Sequence, residues 1–130
     1  MAVIYPDVGE IIALTRFLAA GDLHLHLFKN DYTPIAGTDI ADLTPADFTD
    51  YVPITLSSGS WPTPTTVSNV ASSTYTDQTW TFGSNQTVYG WYITDDFDTE
   101  VICAERFASP QAKTTGQTLT LGVTITGASA

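Results

Sequence analysis

The fold is decided by the stretch Leu23-His24-Leu25-His26-Leu27-Phe28. Leucine occupies every second position, and successive side chains of a β-strand point to opposite faces of the sheet. The stretch therefore predicts a strand with one buried face. Its two histidines point together to the other side of that strand.

A helical pattern precedes this strand. Asp7 and Glu10 have the spacing of a helix-capping box, and Gly21 offers a left-handed stop after the helix. The apolar residues between them line one side of a helix over residues 10–20, namely Ile11, Leu14, Phe17 and Leu18. A helix of about three turns must pack on something to be stable. We expect it to cover a sheet face or edge, or else to dock on a partner.

Strand patterns dominate the rest of the chain. A long loop, 30–50, contains Thr44-Pro45-Ala46-Asp47, which has the capping residue and the first-turn proline of one helical turn. A turn at 57–60 and an extended crossing at 61–64 come next. Six strands are predicted beyond the loop, at 52–56, 71–76, 78–82, 87–94, 101–107 and 117–126.

Strands of this length, mostly joined by short turns, predict a mainly β fold. We expect an antiparallel β-sandwich or jelly-roll-like single domain with one N-terminal α-helix. Residues 1–21 would form an N-terminal arm and helix packed on the domain, and residues 22–130 the β-sandwich itself. A chain of 130 residues has room for one domain.

The charge balance excludes some partners. The chain has 4 Lys and Arg against 14 Asp and Glu, a formal net charge of −10. Such a surface repels phosphate, so neither a nucleic acid nor an anionic membrane is an expected partner. No stretch is apolar over the length of a membrane span.

The compartment follows from what the chain lacks. Cys103 is the only cysteine, so no internal disulfide can form. The segment 1–6 has neither the basic region nor the long apolar run of a signal peptide. The chain therefore either matures in a reducing compartment or does not depend on redox state.

His24 and His26 have a spacing that can hold zinc or copper, provided that a further ligand is present. Asp22 and Glu105 are the candidates that the sequence offers. The alternative is that two histidines lie on a solvent-exposed or interface face. We expect no metal and no cofactor, although the sequence leaves a metal at this position open.

A second candidate is the acidic segment Asp95-Asp96-Phe97-Asp98-Thr99-Glu100. It resembles an oxygen-rich calcium loop but lacks the glycine and spacing of the helix–loop–helix motif. Acidic residues are also ordinary in exposed hairpin turns. The expected structure is an ordinary acidic hairpin turn, and a turn that binds calcium is the alternative.

Catalysis finds little support. A nucleophile such as Cys103 needs a base, and the chain has only two histidines to serve. Cys103 lies within an apolar strand, where a small core residue is expected. No phosphate loop or dinucleotide fingerprint occurs. We therefore expect a protein that is not an enzyme.

The aromatic residues allow two interpretations. Trp61, Trp91 and Tyr92 could line a groove for carbohydrate or peptide. Aromatic residues of this kind more often alternate between a core and a protein interface. A carbohydrate-binding module stays an alternative function on this evidence.

The order of several short motifs resembles a known family. The motifs begin with Leu25–Pro34, continue through Leu43–Tyr51 and Tyr75–Phe82, and end with Val88–Thr94, Ala104–Phe107 and Gly116–Leu121. This order is similar to that of a family of small virion structural proteins encoded in tailed-bacteriophage genomes. The resemblance covers residues 23–126 and carries no catalytic residues.

The resemblance implies a structural protein of the virion that is assembled in the host cytoplasm. We expect a capsid decoration or cement protein that binds the major capsid protein on the outer head surface as a dimer or trimer. The alternative is a tail or neck adaptor or fibre-associated subunit. The residues expected to contact a partner are Ala2, Val3, Ile4, Tyr5, Tyr32, Ile35, Trp61 and Trp91.

Overall fold

A computed structural model of the chain describes residues 7–68 and 70–128. Within these residues the chain has one α-helix, α1 (Asp7–Ala19), and nine strands. The strands are β1 (Leu23–Phe28), β2 (Ile54–Leu56), β3 (Thr65–Val67), β4 (Val70–Thr74), β5 (Gln78–Thr81), β6 (Gln86–Thr94), β7 (Val101–Lys113), β8 (Thr118–Leu121) and β9 (Thr124–Ala128). The predicted mainly β, antiparallel, sandwich-like class with one N-terminal helix is confirmed.

The described residues form two compact units, and each unit is built from separate segments of the chain. Among the described residues, unit 1 draws on segments 7–22, 56–68, 70–77 and 122–128, and unit 2 on segments 23–55 and 78–121. The predicted division between residues 1–21 and 22–130 stays a prediction.

In unit 1, helix α1 packs on a three-stranded antiparallel sheet of order β3-β4-β9. Leu14 and Leu18 on the helix and Ala71 and Ile125 in the sheet are buried. The expectation that the helix covers a sheet is thus met. The left-handed helix stop predicted at Gly21 is wrong. Among the described glycines, Gly116 is the one with a positive φ, so helix α1 ends without a left-handed glycine.

In unit 2, a four-stranded sheet has the order β2-β1-β6-β7, and β5 pairs with β8. Strand β6 lies inside the larger sheet and is buried almost throughout, from Val88 to Thr94. Gly90 is required there, since a Cβ atom at this position would collide with the Glu105 carbonyl and with two ring carbons of Phe28. Strand β7 is the outer strand of the same sheet.

Two predicted strands differ most from the structure in their bounds, and strand β3 is not predicted at all. The strand over 117–126 is divided at Gly122 into β8 and β9, where a Cβ atom would lie 2.5 Å from the Asp77 carboxylate. Strand β3 follows Pro64 and is too short for its alternation to be visible. Strand β7 continues past Phe107 through Pro110, because its register with β6 shifts at this point and an outer strand tolerates proline.

The helical turn predicted at Thr44–Asp47 is also wrong. This segment is extended along β1: Lys29 N donates to Thr44 O at 2.8 Å and Ala46 N donates to Leu27 O at 2.9 Å. The loop's helical turn lies earlier, at the 3₁₀ helix Ile40–Asp42, where Asp39 provides a complete capping box. Pairing with a strand therefore outweighs a local capping signal.

Candidate functional site

The two histidines of β1 and the acidic turn after β6 come together in unit 2. Strands β1 and β6 are antiparallel, and their register places His24 opposite Thr94 and His26 opposite Tyr92. The turn that leaves β6 therefore begins beside the histidines. Two segments that the sequence offers as separate candidate sites form one cluster.

The turn is held in place by Asp95. Its Oδ1 accepts hydrogen bonds from Thr99 N at 2.7 Å and Glu100 N at 2.9 Å, and its carbonyl accepts from Asp98 N at 3.1 Å. Asp98 has a φ of 56°, in the left-handed region that aspartate tolerates better than most residues. This conformation directs the Asp98 carboxylate back towards β1.

One oxygen, Asp98 Oδ1, is the centre of the cluster. It lies 2.8 Å from His24 Nδ1, 3.1 Å from His26 Nε2 and 2.8 Å from Thr94 Oγ1. Thr94 Oγ1 also lies 2.9 Å from His26 Nε2. The second nitrogen of His24, Nε2, lies 3.4 Å from Asp96 Oδ1. The group that could hold a metal ion is His24, His26 and Asp98.

The two imidazoles differ in their surroundings. His26 is buried and stacks on the Tyr92 ring, with centroids 4.6 Å apart and 9° between the planes. Burial favours the neutral ring and lowers the pKa of His26. The nearby Asp98 carboxylate has the opposite effect, but burial outweighs it. His24 is more open, and its side chain retains 22% exposure.

Asp98 is ionised over a wider pH range than an ordinary aspartate. Its partial burial raises the pKa, but hydrogen bonds from His24 and Thr94 and the charges of both imidazoles outweigh burial, so that the pKa lies below its usual value. The cluster therefore combines an anionic oxygen with two imidazole nitrogens that face it.

The other residues proposed from sequence as ligands lie in different surroundings. Asp22 accepts a hydrogen bond from Ser58 N at 2.9 Å in unit 1. Glu105 lies opposite Trp91 in the β6–β7 register. The carboxylate that lies beside both histidines is that of Asp98, which the sequence offers only as part of a calcium turn.

A separate surface of unit 2 is a cleft along the outer strand β7. It has a volume of about 340 Å³ and lies between the segment Pro34–Thr38 and the first residues of β7, Val101–Ala104. Ile35 is 69% exposed and Ile102 37% exposed at its rim. Arg106 of β7 donates to the Tyr32 carbonyl at 3.1 Å and pairs with Asp31 at 2.6 Å. These contacts hold the chain just before Pro34 against β7.

Cys103 lines this cleft and is half-buried. Burial, together with the negative charge of Glu105, raises the pKa of its thiol to about 12. A protonated thiol is a poor nucleophile. Cys103 is half-buried beside a cleft and is not the core residue that the sequence predicts.

The residues predicted to contact a partner have different environments. Ile35 is exposed, Tyr32 is half-buried with its hydroxyl 3.0 Å from Thr38 Oγ1, and Trp61 packs edge-on against Tyr75 at 4.9 Å. Trp91 needs correction as a contact residue, because it lies on the inner strand β6 and is only 7% exposed. The residues Ala2, Val3, Ile4 and Tyr5 lie outside the described part of the chain.

The aromatic residues of a carbohydrate groove do not form an exposed platform. Trp91 is buried, and Tyr92 is 1% exposed beneath His26. Every residue of β6 from Gly90 to Thr94 is buried, so these residues do not alternate between core and surface as the sequence pattern suggests.

Within residues 7–68 and 70–128, no helix has both the length and the hydropathy needed to cross a bilayer. We also compared the chain with protein-family profiles, with curated proteins and with solved structures, and none of them matches it.

Proposed function

We propose that this chain is a structural protein of a tailed-phage virion, a decoration or cement protein that binds the major capsid protein on the outer surface of the head. Two independent features support the proposal. The motif order over residues 23–126 resembles that of phage virion proteins, and unit 2 carries an exposed apolar cleft beside an outer strand.

The cleft is the observation on which the proposal rests. Strand β7 has β6 on one side and no strand on the other among the described residues. An unpaired edge offers backbone donors and acceptors to an extended segment of another protein. Ile35 and Ile102 add apolar surface next to this edge. A strand or arm of the capsid protein would add to the sheet here and bury these side chains.

Charge and valency suit the same role. A net charge of −10 favours a partner surface with basic residues. A cement protein acts at many equivalent positions on a shell, so that modest contacts are multiplied by their number. A dimer or trimer at a symmetry axis would double or triple the number of clefts that engage the shell.

Copy number tests where on the particle the chain acts. Quantitative peptide mass spectrometry of purified virions should find hundreds of copies per particle, and removal of the gene should lower the heat stability of filled heads. A dozen copies or fewer would contradict decoration and favour the tail or neck alternative.

A pair of variants tests the cleft itself. Ile35→Asp places a charge at the cleft and should abolish binding of the purified chain to heads that lack it, measured by co-sedimentation. Val52→Asp is the matched control, because Val52 is 65% exposed but is not part of the cleft. Equal binding of the two variants to heads would contradict the cleft as the surface that contacts the capsid protein.

A further inference from the structure

The cluster of His24, His26 and Asp98 has no role in the proposed binding of a capsid. We propose that these three residues bind one zinc-class divalent ion, which clips the acidic turn 95–100 to strand β1. The site is independent of the cleft along β7 and of the identity of the partner.

The spacing of the donor atoms carries the proposal. Three ligands at about 2.0–2.1 Å from a tetrahedral zinc ion are about 3.3 Å from one another. Asp98 Oδ1 lies 2.8 Å from His24 Nδ1 and 3.1 Å from His26 Nε2. All three donor atoms fall within 4.8 Å of one another. Shifts of a few tenths of an ångström would bring the two distances from Asp98 Oδ1 to the zinc spacing.

The hydrogens available to the His24 ring are compatible with a bound ion. Two ring nitrogens and a hydroxyl converge on a single carboxylate oxygen, while His24 Nε2 faces a second carboxylate, Asp96, at 3.4 Å. A neutral imidazole has one N–H and can satisfy only one of these carboxylates. An ion bound at Nδ1 leaves the hydrogen on Nε2 for Asp96, so that each nitrogen of His24 has a partner; an imidazolium with a hydrogen on each nitrogen would give the same result without an ion.

The surroundings have the parts that orient metal ligands. Asp96 would act as the carboxylate that accepts the remaining N–H of a ligating histidine. Thr94 donates to the Asp98 carboxylate, and the Tyr92 ring fixes the plane of His26. These supporting contacts come from β6 and the turn that follows it.

The ligand types select the class of ion. Imidazole nitrogen suits Zn²⁺ and neighbouring transition metals, whereas Ca²⁺ and Mg²⁺ prefer sites built from oxygen alone. Three protein ligands leave a fourth position, and the Asp98 side chain is 47% exposed, so that a water molecule can fill this position. The ion would hold the turn against strand β1, because two of its ligands, His24 and His26, come from β1 and the third, Asp98, comes from the turn.

Zinc titration of the untagged chain tests the proposal. After dialysis against a chelator and then metal-free buffer, calorimetric titration with ZnCl2 should give one site per chain and a higher melting temperature. Titration with CaCl2 should give neither. Saturation by Co²⁺ should give visible absorption bands of tetrahedral intensity.

Variants assign the ligands. We expect His24→Ala and Asp98→Asn each to weaken zinc binding more than about 100-fold, and Asp96→Asn to weaken it about tenfold, as loss of an outer-shell partner does. Asp31→Asn is the control, since Asp31 pairs with Arg106 away from the cluster. Circular dichroism of each variant checks that it folds.

Nitrogen-15 NMR provides an assignment that needs no substitution. The resonances of His24 Nδ1 and His26 Nε2 should move on zinc addition, and the other nitrogen of each ring should keep its hydrogen. Absence of stoichiometric zinc binding, binding that survives in the His24→Ala and Asp98→Asn variants, or binding of calcium in place of zinc would each overturn the proposal.

Discussion

Asp47 shows how a fully exposed carboxylate can still be fixed in one position. Its Oδ2 accepts from Lys29 Nζ at 2.7 Å, and its Oδ1 accepts from Gln86 Nε2 at 2.6 Å. Gln86 in turn accepts from the Asp47 backbone N–H at 3.0 Å. These hydrogen bonds, that of Lys29 foremost, lower the pKa of Asp47 from its ordinary value of 3.8.

The sign of the pH effect follows from this shift. Because the pKa is lower in the folded chain than in the unfolded one, the contacts of Asp47 stabilise the fold above the unfolded pKa. This stabilisation is lost as the pH falls through the folded pKa. In an NMR titration, the Asp47 carboxyl carbon should therefore titrate below 3.8, and Lys29→Met should move its midpoint upward. Arg16→Met, which removes a positive charge from helix α1, should leave that midpoint unchanged.

The histidine cluster shows what sequence reveals at the scale of residues. The alternation of Leu23, Leu25 and Leu27 is enough to place both histidines on one side of a strand. Asp98 lies 74 residues from His24, and no local pattern joins them. The signal that could have joined them is the antiparallel pairing of β1 with β6, which brings the turn after β6 to the histidine end of β1.

At the scale of elements, strand order decides what each pattern means. The alternation in Leu23–Phe28 predicts the bounds of β1 correctly because it is long and regular, but the expected single buried face is wrong, since His26 and Phe28 on the other face are buried as well. The same reasoning fails for 117–126, because two strands that pair with different partners follow each other with only Gly122 and Val123 between them. The Thr44-Pro45 capping signal fails because β1 offers that segment backbone hydrogen bonds instead.

Gly90 lies where the backbone of β6 closely approaches strand β7 and the Phe28 ring, so a substitution there tests the packing of the β1-β6-β7 sheet. Gly90→Ala would force a Cβ atom against the Glu105 carbonyl and the Phe28 ring. Overpacking of this kind costs about 1–3 kcal/mol, so the free energy of unfolding in urea should fall by about that amount. Gly37→Ala is the control, since nothing lies within 4 Å of the added atom. Equal stability of the two variants would contradict the packing around β6.

For the whole molecule, the large negative net charge determines how stability depends on salt. Fourteen acidic residues against four basic ones give a self-repulsion that salt screens over a Debye length of about 10 Å at 0.1 M. The melting temperature should therefore rise by a few degrees as NaCl increases from about 20 to about 500 mM. The melts are run in chelator so that the histidine cluster does not contribute, and KCl should act as NaCl does. A fall with added salt would contradict repulsion as the dominant effect.

The order in which the segments of each unit occur along the chain has a consequence for biosynthesis. Unit 1 takes its helix α1 from the beginning of the described chain and its strand β9 from the end. A ribosome that releases the chain residue by residue exposes α1 and β4 long before β9, their partner, is available. The segments of unit 2 are complete at Leu121, before β9 emerges. Nascent chains arrested after Leu121 should thus protect β1 and β6 from protease while leaving α1 open to cleavage.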